Sequence, residues 1–177
     1  MSDALVRSVS RPSAAAPGTS QYLTFTLGDE LFAVRIGLIR EVIGLQSITR
    51  IPLAPAAVPG VLNLRGSVVP VVDLAARLGR GPSAFGRRTC VMVVEMGQPD
   101  APQPIGLIVD TVREALEVDA AQIEPRPAFG AGLRSDFVAE MLNFTGCFVA
   151  VLDVEQVLSM RELEQLVTDA TAAAATT

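Results

Sequence analysis

The chain contains two copies of one short pattern, and this repeat limits the folds available to it more than any other feature. Residues 62–74 read LNLRGSVVPVVDL, and residues 142–154 read LNFTGCFVAVLDV. A weaker echo precedes each copy, AVRIGLIREVI at 33–43 and GLIVDTVREAL at 106–116. Self-similarity in a constant order is typical of two copies of one supersecondary unit. Because two copies are too few for a solenoid, the sequence predicts two related lobes packed together.

The positions that the copies share are those that an architecture of strands and turns requires. Gly66 and Gly146 suit a tight turn, and the branched residues that follow suit the core face of a strand. Positions that differ between the copies are free to carry function. At the turn the first copy has Arg65 where the second has Thr145, so Arg65 is the first candidate functional residue.

Composition indicates a compact globular chain. Its 177 residues suit one domain or two small lobes, and half of them are hydrophobic while 19% are charged. The net charge is −5 and no run of five basic residues occurs, which argues against nucleic acid or anionic membrane as a partner. Residues 1–20 lack the apolar stretch of a signal peptide, and no apolar run is long enough to span a bilayer. We therefore expect a cytoplasmic protein with no direct membrane insertion.

The usual chemistry of enzymes is missing from the sequence. There is no histidine, the commonest general base and metal ligand, and no nucleophile or phosphate-loop motif is found. We predict no catalytic residue, no cofactor and no metal. Cys90 and Cys147 are interpreted as buried free thiols, and Asp73 and Asp153, each at the end of a repeat strand, as helix N-caps.

Turn residues and hydrophobic periodicity predict many short strands. The first strand alternates, with Leu23 on one face and Tyr22 on the other, as in a half-buried strand. Pro70 indicates an edge strand or a bulge. The predicted strands are 22–27, 31–34, 45–51, 61–64, 67–74, 90–96, 104–109, 115–118, 140–144 and 147–152; helices are predicted at 36–43, 75–79 and 154–168, and loops or a linker at 80–88, 97–104 and 125–135.

Several of these segments together resemble the CheW family of bacterial chemosensory coupling proteins. The first lobe resembles it through FTLGDE at 25–30, IREVI at 39–43, RIP at 50–52 and GVLNLRGSVVPVVDL at 60–74. The second lobe does so through GLIVDTVRE at 106–114, QIEP at 122–125 and VLDVEQVL at 151–158. Glu140 departs from the family pattern, since a small residue is frequent at that position.

The resemblance implies a mainly β fold of two intertwined five-stranded SH3-like β-barrels with short helices and a C-terminal helix. A single CheW-like domain would span residues 21–168, between a disordered tail at 1–20 and a frayed tail at 169–177. The implied function is a non-enzymatic adaptor that couples the cytoplasmic tips of chemoreceptors, the methyl-accepting chemotaxis proteins, to the histidine kinase CheA. Its implied partners are those tips, the kinase regulatory domain and other CheW-like domains in array rings.

The resemblance also implies candidate contact residues. For the receptor these are Ile36, Ile39, Glu41, Gly60 and Arg65; for the kinase they are Leu23 and Ile36. From the residues alone, core packing is the favoured interpretation of Ile36, Ile39 and Leu23, and a solvated turn residue is the alternative interpretation of Arg65. A pairing of Glu41 with Arg65 would hold the turn against the preceding segment.

Two alternatives remain open at this point. The same adaptor fold could serve a non-flagellar pathway that controls pili, gliding or a second messenger. A protein of a different class, an acidic two-barrel module that binds small ligands or peptides by strand addition, would also fit the predicted strands.

Overall fold

The computed structural model describes residues 19–46, 48–52, 55–125, 137–144 and 146–159. The predicted tail at 169–177 and nearly all of the loop at 125–135 lie outside these ranges, as do the first eighteen residues and the predicted helix beyond Ser159. The described strands are β1 (Thr19–Leu27), β2 (Glu30–Arg35), β3 (Ile39–Gly44), β4 (Thr49–Arg50), β5 (Gly60–Leu64), β6 (Ser67–Asp73), β7 (Cys90–Gln98), β8 (Ala101–Val109), β9 (Thr111–Asp119), β10 (Ile123–Pro125), β11 (Val138–Phe144) and β12 (Cys147–Leu152). The described helices are α1 (Leu74–Arg77) and α2 (Val154–Val157), with 3₁₀ turns at Ile36–Leu38 and Ala120–Gln122.

The strands form two sheets whose orders match under the repeat. Lobe 1 has the order β4-β5-β6-β8-β7-β3, and lobe 2 has β10-β11-β12-β2-β1-β9. Strands β3 to β6 of lobe 1 thus correspond to β9 to β12 of lobe 2. Strands β7 and β8 of lobe 1 correspond to β1 and β2 of lobe 2. Each sheet consists of five longer strands and one short one, β4 or β10. The repeat in the sequence is therefore a repeat of whole lobes, and the two-barrel fold is confirmed.

The lobes are intertwined because each takes a hairpin from the other half of the chain. The hairpin β1–β2 joins lobe 2 through a parallel pairing of Ala33 with Val151. The hairpin β7–β8 joins lobe 1 through the equivalent pairing of Gly106 with Val71. These parallel pairings place each hairpin on the opposite sheet, so the segment at 25–30, assigned to the first lobe from its sequence, lies in lobe 2.

The core has a central part shared by both lobes and one smaller cluster inside each lobe. Strand β1 lies between two of these clusters. Leu23 and Phe25 enter the central core, while Tyr22 enters the cluster of lobe 2. Tyr22 and Thr24 are 0% and 1% exposed, so the prediction of a half-buried strand is wrong: both faces of β1 are covered.

Two other local predictions are also wrong. The segment 36–43 is a 3₁₀ turn followed by β3 rather than a helix, because the β-branched pair Val42–Ile43 forms a ladder with β7. The predicted loop at 97–104 is a hairpin in which Gln98 pairs with Ala101. Among the described residues of the strand predicted at 45–51, the structure has only β4. Pro70 does have an edge-like position, because the pairing of β6 with β8 begins only at Val71.

The two repeated aspartates both precede a helix, yet they act differently. Asp153 accepts a hydrogen bond from the backbone N–H of Gln156, as an N-cap does. Asp73 makes no such bond; its buried carboxylate accepts from the backbone N–H and the hydroxyl of Ser83. The capping prediction is confirmed for Asp153 and wrong for Asp73, whose side chain anchors the segment after α1.

The cysteines are free, but they are not both buried. Cys90 is partly buried at the start of β7, and burial raises the pKa of its thiol. Cys147 is exposed beside a hairpin turn, so the prediction of burial is wrong for it. No helix within the described ranges is long and apolar enough to cross a membrane.

Candidate functional site

One of the two chain segments that pass between the lobes carries several of the candidate residues. We call residues Arg35–Glu41 the crossover segment, because they lead from β2 in lobe 2 to β3 in lobe 1. Ile36 and Ile39 are partly buried and pack against the central core. Leu38 between them is 39% exposed. The segment therefore presents an apolar surface at the junction of the lobes, with its inner side held by the core.

The hairpin turn between β5 and β6 places Arg65 beside this segment. Arg65 and Gly66 have φ values of 52° and 86°, the left-handed pair that a two-residue type I′ hairpin requires. The side chain of Asn63 steadies the turn by accepting a hydrogen bond from the N–H of Gly66 at 2.9 Å. Left-handed backbone is unfavourable for an arginine, whereas asparagine or glycine adopts it readily. Arg65 is therefore not the residue that this turn geometry selects, which favours a functional interpretation.

Arg65 and Glu41 form the ion pair that the sequence suggested. Arg65 Nη2 donates to Glu41 Oε2 at 2.8 Å, with 72% of the arginine side chain and 17% of the glutamate side chain exposed. The fold thus holds the carboxylate, and the guanidinium lies over it facing solvent. A guanidinium has five N–H donors in a planar fork, so most of the donors of Arg65 remain available to a partner.

One carboxylate oxygen of Glu41, Oε1, is buried without a hydrogen-bond donor from the described residues. A buried acceptor without a donor lowers the stability of the folded state. The stabilising contact of this carboxylate is the one that its other oxygen makes with Arg65. This leaves the exposed arginine as the group that both covers the carboxylate and faces outward.

Gly60 has a clear structural requirement. It is buried on β5 opposite Arg50 of β4. A Cβ atom at this position would lie 2.1 Å from the carbonyl oxygen of Thr49 and 2.9 Å from the Cγ2 atom of Ile48. Only glycine therefore permits β4 to approach β5, and Gly60 lies at the opposite end of β5 from the Arg65 turn.

Leu23 lies in the core and away from the surface. It is 4% exposed and shares the central cluster with Ile36 and Ile39. The structure thus brings Ile36, Ile39, Glu41 and Arg65 together around the crossover segment, while Leu23 supports that segment from beneath.

Sequence reasoning missed a second polar cluster at the other end of the crossover segment. The hydroxyl of Tyr22 donates to Glu140 Oε1 at 2.5 Å, and Arg35 Nη2 lies 3.1 Å from the same oxygen. The only signal in the sequence was Glu140 itself, the charged residue at a position where the CheW pattern favours a small one.

Comparisons with known proteins agree with this architecture. Residues 21–162 match the family described as the CheW-like domain. The chemotaxis protein CheW of Klebsiella aerogenes is 32% identical over 143 residues, which cover 81% of this chain and 84% of that protein. A probable chemotaxis protein CheW of Rhizobium etli is 33% identical over 147 residues, covering 83% and 92%. The crystal structure of the scaffolding protein TtCheW from Thermoanaerobacter tengcongensis superposes with a TM-score of 0.70 at 31% identity, covering 80% of this chain and 89% of that one.

Proposed function

The chain belongs to the CheW-like domain family, and on that premise we propose that it is a non-enzymatic adaptor of a chemosensory array. It couples the cytoplasmic tips of methyl-accepting chemotaxis receptors to a CheA-type histidine kinase. It acts in the cytoplasm, next to the membrane that holds the receptors, and needs neither cofactor nor metal for this task.

The observation that carries the proposal is the exposed Arg65 beside an apolar crossover segment. Arg65 is fixed by Glu41 at 2.8 Å and remains 72% exposed, while Leu38 adds exposed apolar surface. Arginine beside apolar anchors is a common composition for interface hot spots. A helical receptor tip that offers apolar side chains and a carboxylate or carbonyl acceptor would fit this surface.

We place the kinase contact on the crossover segment as well, at Ile36. Ile36 is partly buried and packs on the central core, so part of its side chain remains available to a partner. Leu23 lies beneath it in the same cluster and contributes by supporting that surface. Other CheW-like domains in array rings would use the same kind of contact as the kinase regulatory domain, which has a related fold.

The test measures the binding of the purified full-length chain to receptor-tip fragments and to the kinase regulatory domain. Arg65→Ala is compared with wild type and with Arg87→Ala, which removes an arginine from the exposed loop after α1. We expect wild type and Arg87→Ala to bind both partners. For Arg65→Ala we expect the receptor-tip Kd to rise about thirtyfold, as for a hot-spot loss of about 2 kcal/mol, with kinase binding retained. Failure of folded wild type to bind either partner would contradict the proposal.

A further inference from the structure

A polar cluster in lobe 2 joins three strands at the edge of the barrel core. Tyr22 of β1 is fully buried, and its hydroxyl donates to Glu140 Oε1 of β11 at 2.5 Å. Arg35, the last residue of β2, reaches the same oxygen at 3.1 Å. The arginine side chain is 59% exposed and that of Glu140 is 13% exposed. The carboxylate is thus shared between a buried donor and an exposed one.

The architecture itself does not require this cluster, as lobe 1 demonstrates. Gly60 and Glu140 are equivalent, because they pair with Val71 and Val151 at matching places in the two hairpins. By the same register, Tyr22 and Arg35 correspond to the cross-strand pair Val91 and Ile108. Lobe 1 therefore closes with two apolar residues and a glycine where lobe 2 has a tyrosine, an arginine and a glutamate. The polar cluster consequently needs an explanation other than closure of the barrel.

The cluster holds one end of the crossover segment. Arg35 begins that segment and is bound to Glu140 in lobe 2, while Glu41 ends it and is bound to Arg65 in lobe 1. Between them the 3₁₀ turn at Ile36–Leu38 has no side-chain cap and no fully buried residue. The turn therefore takes its position from the packing of Ile36 on the central core and from its two ends.

Tyr22 orients the carboxylate that anchors Arg35. Burial and the hydrogen bond to Glu140 raise the pKa of Tyr22 to about 12, so its hydroxyl remains a donor across the neutral range. The bond directs the Glu140 carboxylate toward the end of β2. Arg35 therefore pairs with a carboxylate that is held in one position.

From this arrangement we propose that Glu140 is a positioning residue for partner binding. With Tyr22 and Arg35 it fixes the lobe 2 end of the crossover segment, and so sets the positions of Ile36 and Ile39 relative to Arg65. Glu140 need not touch the partner. The inference rests on the proposed function, because its effect is read as affinity for the receptor tip.

The experiment compares two variants of Glu140. Glu140→Gly gives lobe 2 the residue that lobe 1 has at the equivalent position. Glu140→Gln keeps an acceptor for Tyr22 but removes the charge that pairs with Arg35. The matched control is Glu30→Gln, which breaks the ion pair of Glu30 with Arg80 outside the crossover segment. Receptor-tip affinity and amide hydrogen exchange at residues 36–39 are measured for each folded variant. We expect the Kd of Glu140→Gly to rise about fivefold to tenfold, an intermediate rise for Glu140→Gln, faster exchange at 36–39 in both, and no change for Glu30→Gln.

Other outcomes separate this inference from the proposed function. If wild type binds the tip and Glu140→Gly binds it equally well, or if exchange rises uniformly over the whole chain, the positioning role is overturned. If wild type does not bind the tip, the proposed function fails. In that case amide exchange alone tests the positioning role of Glu140. Faster exchange confined to residues 36–39 in Glu140→Gly supports that role, and unchanged exchange overturns it.

Discussion

The hairpin β5–β6 of lobe 1 and the hairpin β11–β12 of lobe 2 share a framework but differ at the turn position that we propose contacts the receptor. In both, an asparagine side chain accepts a hydrogen bond from the turn glycine, Asn63 from Gly66 at 2.9 Å and Asn143 from Gly146 at 3.3 Å. In lobe 1 the turn also carries Arg65, paired with Glu41. The repeated positions preserve the barrel, and the position that differs supplies the exposed charge.

Lobe 2 retains only half of that ion pair. Glu114 stands in the echo segment where lobe 1 has Glu41, and the turn residue is threonine. The backbone of Glu114 is bound on both sides by the hydroxyl of Thr24, at 2.8 and 3.1 Å, at an irregularity in the pairing of β1 with β9. Lobe 2 thus keeps the carboxylate but has no arginine on the facing turn, so the ion pair of Arg65 with Glu41 has no counterpart at these positions.

The largest effect is expected from Gly60→Ala, which adds a side chain at the lobe 1 position that corresponds to Glu140 in lobe 2. The new methyl group would lie 2.1 Å from the Thr49 carbonyl oxygen, so β4 must move away, and we expect a loss of about 3 kcal/mol in the free energy of unfolding. Urea denaturation measures it. Gly44→Ala is the control, because a Cβ atom added at Gly44 would meet nothing within 4 Å; equal losses for the two variants would refute the steric explanation.

A smaller difference should separate the two repeated aspartates. Asp73→Ala removes a buried carboxylate that accepts two hydrogen bonds from Ser83, for which we expect about 2 kcal/mol of destabilisation. Asp153→Ala removes one capping bond and should cost about 1 kcal/mol. Thermal unfolding of both variants is the measurement. A loss for Asp73→Ala no larger than that for Asp153→Ala would contradict the anchoring role of Asp73.

The polar cluster predicts that the stability of lobe 2 depends on alkaline pH through Tyr22. Tyr22 is the only tyrosine in the chain, and its pKa is raised from 10.0 to about 12, first by burial and then by Glu140. A raised pKa favours the protonated, folded form, so this contribution to stability is complete below pH 10 and is lost as the pH rises through about 12. Ultraviolet titration of tyrosinate should give a midpoint near 12 in the folded protein. Tyr22→Phe should abolish this part of the pH dependence; a midpoint at the ordinary tyrosine value of 10.0 would contradict the buried bond.

The smallest effect is expected from Arg65→Asn, which separates the geometry of the turn from the charge. Asparagine adopts the left-handed backbone more readily than arginine, so we expect stability to be unchanged or to rise by up to about 1 kcal/mol. Differential scanning calorimetry measures it. A marked fall in the melting temperature would mean that the ion pair with Glu41, and not the framework of the hairpin, holds the turn.

The sequence was sufficient to predict the repeat and the hairpin around Arg65, because these depend on local patterns. The Glu41–Arg65 pair, whose partners are 24 residues apart, was suggested by the family resemblance. It was insufficient for the crossover segment, where Ile36, Ile39 and Ile43 have helical spacing but a neighbouring strand in lobe 1 pairs with the chain. It was also insufficient for Tyr22, whose alternation with Leu23 suggested one exposed face. Both faces of β1 are buried because the hairpin β1–β2 joins the sheet of lobe 2. No local sequence pattern predicts which lobe a hairpin joins. Glu140 was noted only as an anomaly, since its partners are more than a hundred residues away in sequence.

The most direct test exchanges the two turn residues and measures receptor-tip affinity by titration calorimetry. Arg65→Thr gives the lobe 1 turn the residue of lobe 2, and Thr145→Arg makes the reverse change. We expect Arg65→Thr to raise the Kd about thirtyfold in a protein that stays folded, and Thr145→Arg to leave it unchanged. Unaltered binding by folded Arg65→Thr would contradict the claim that the site lies where the two lobes differ.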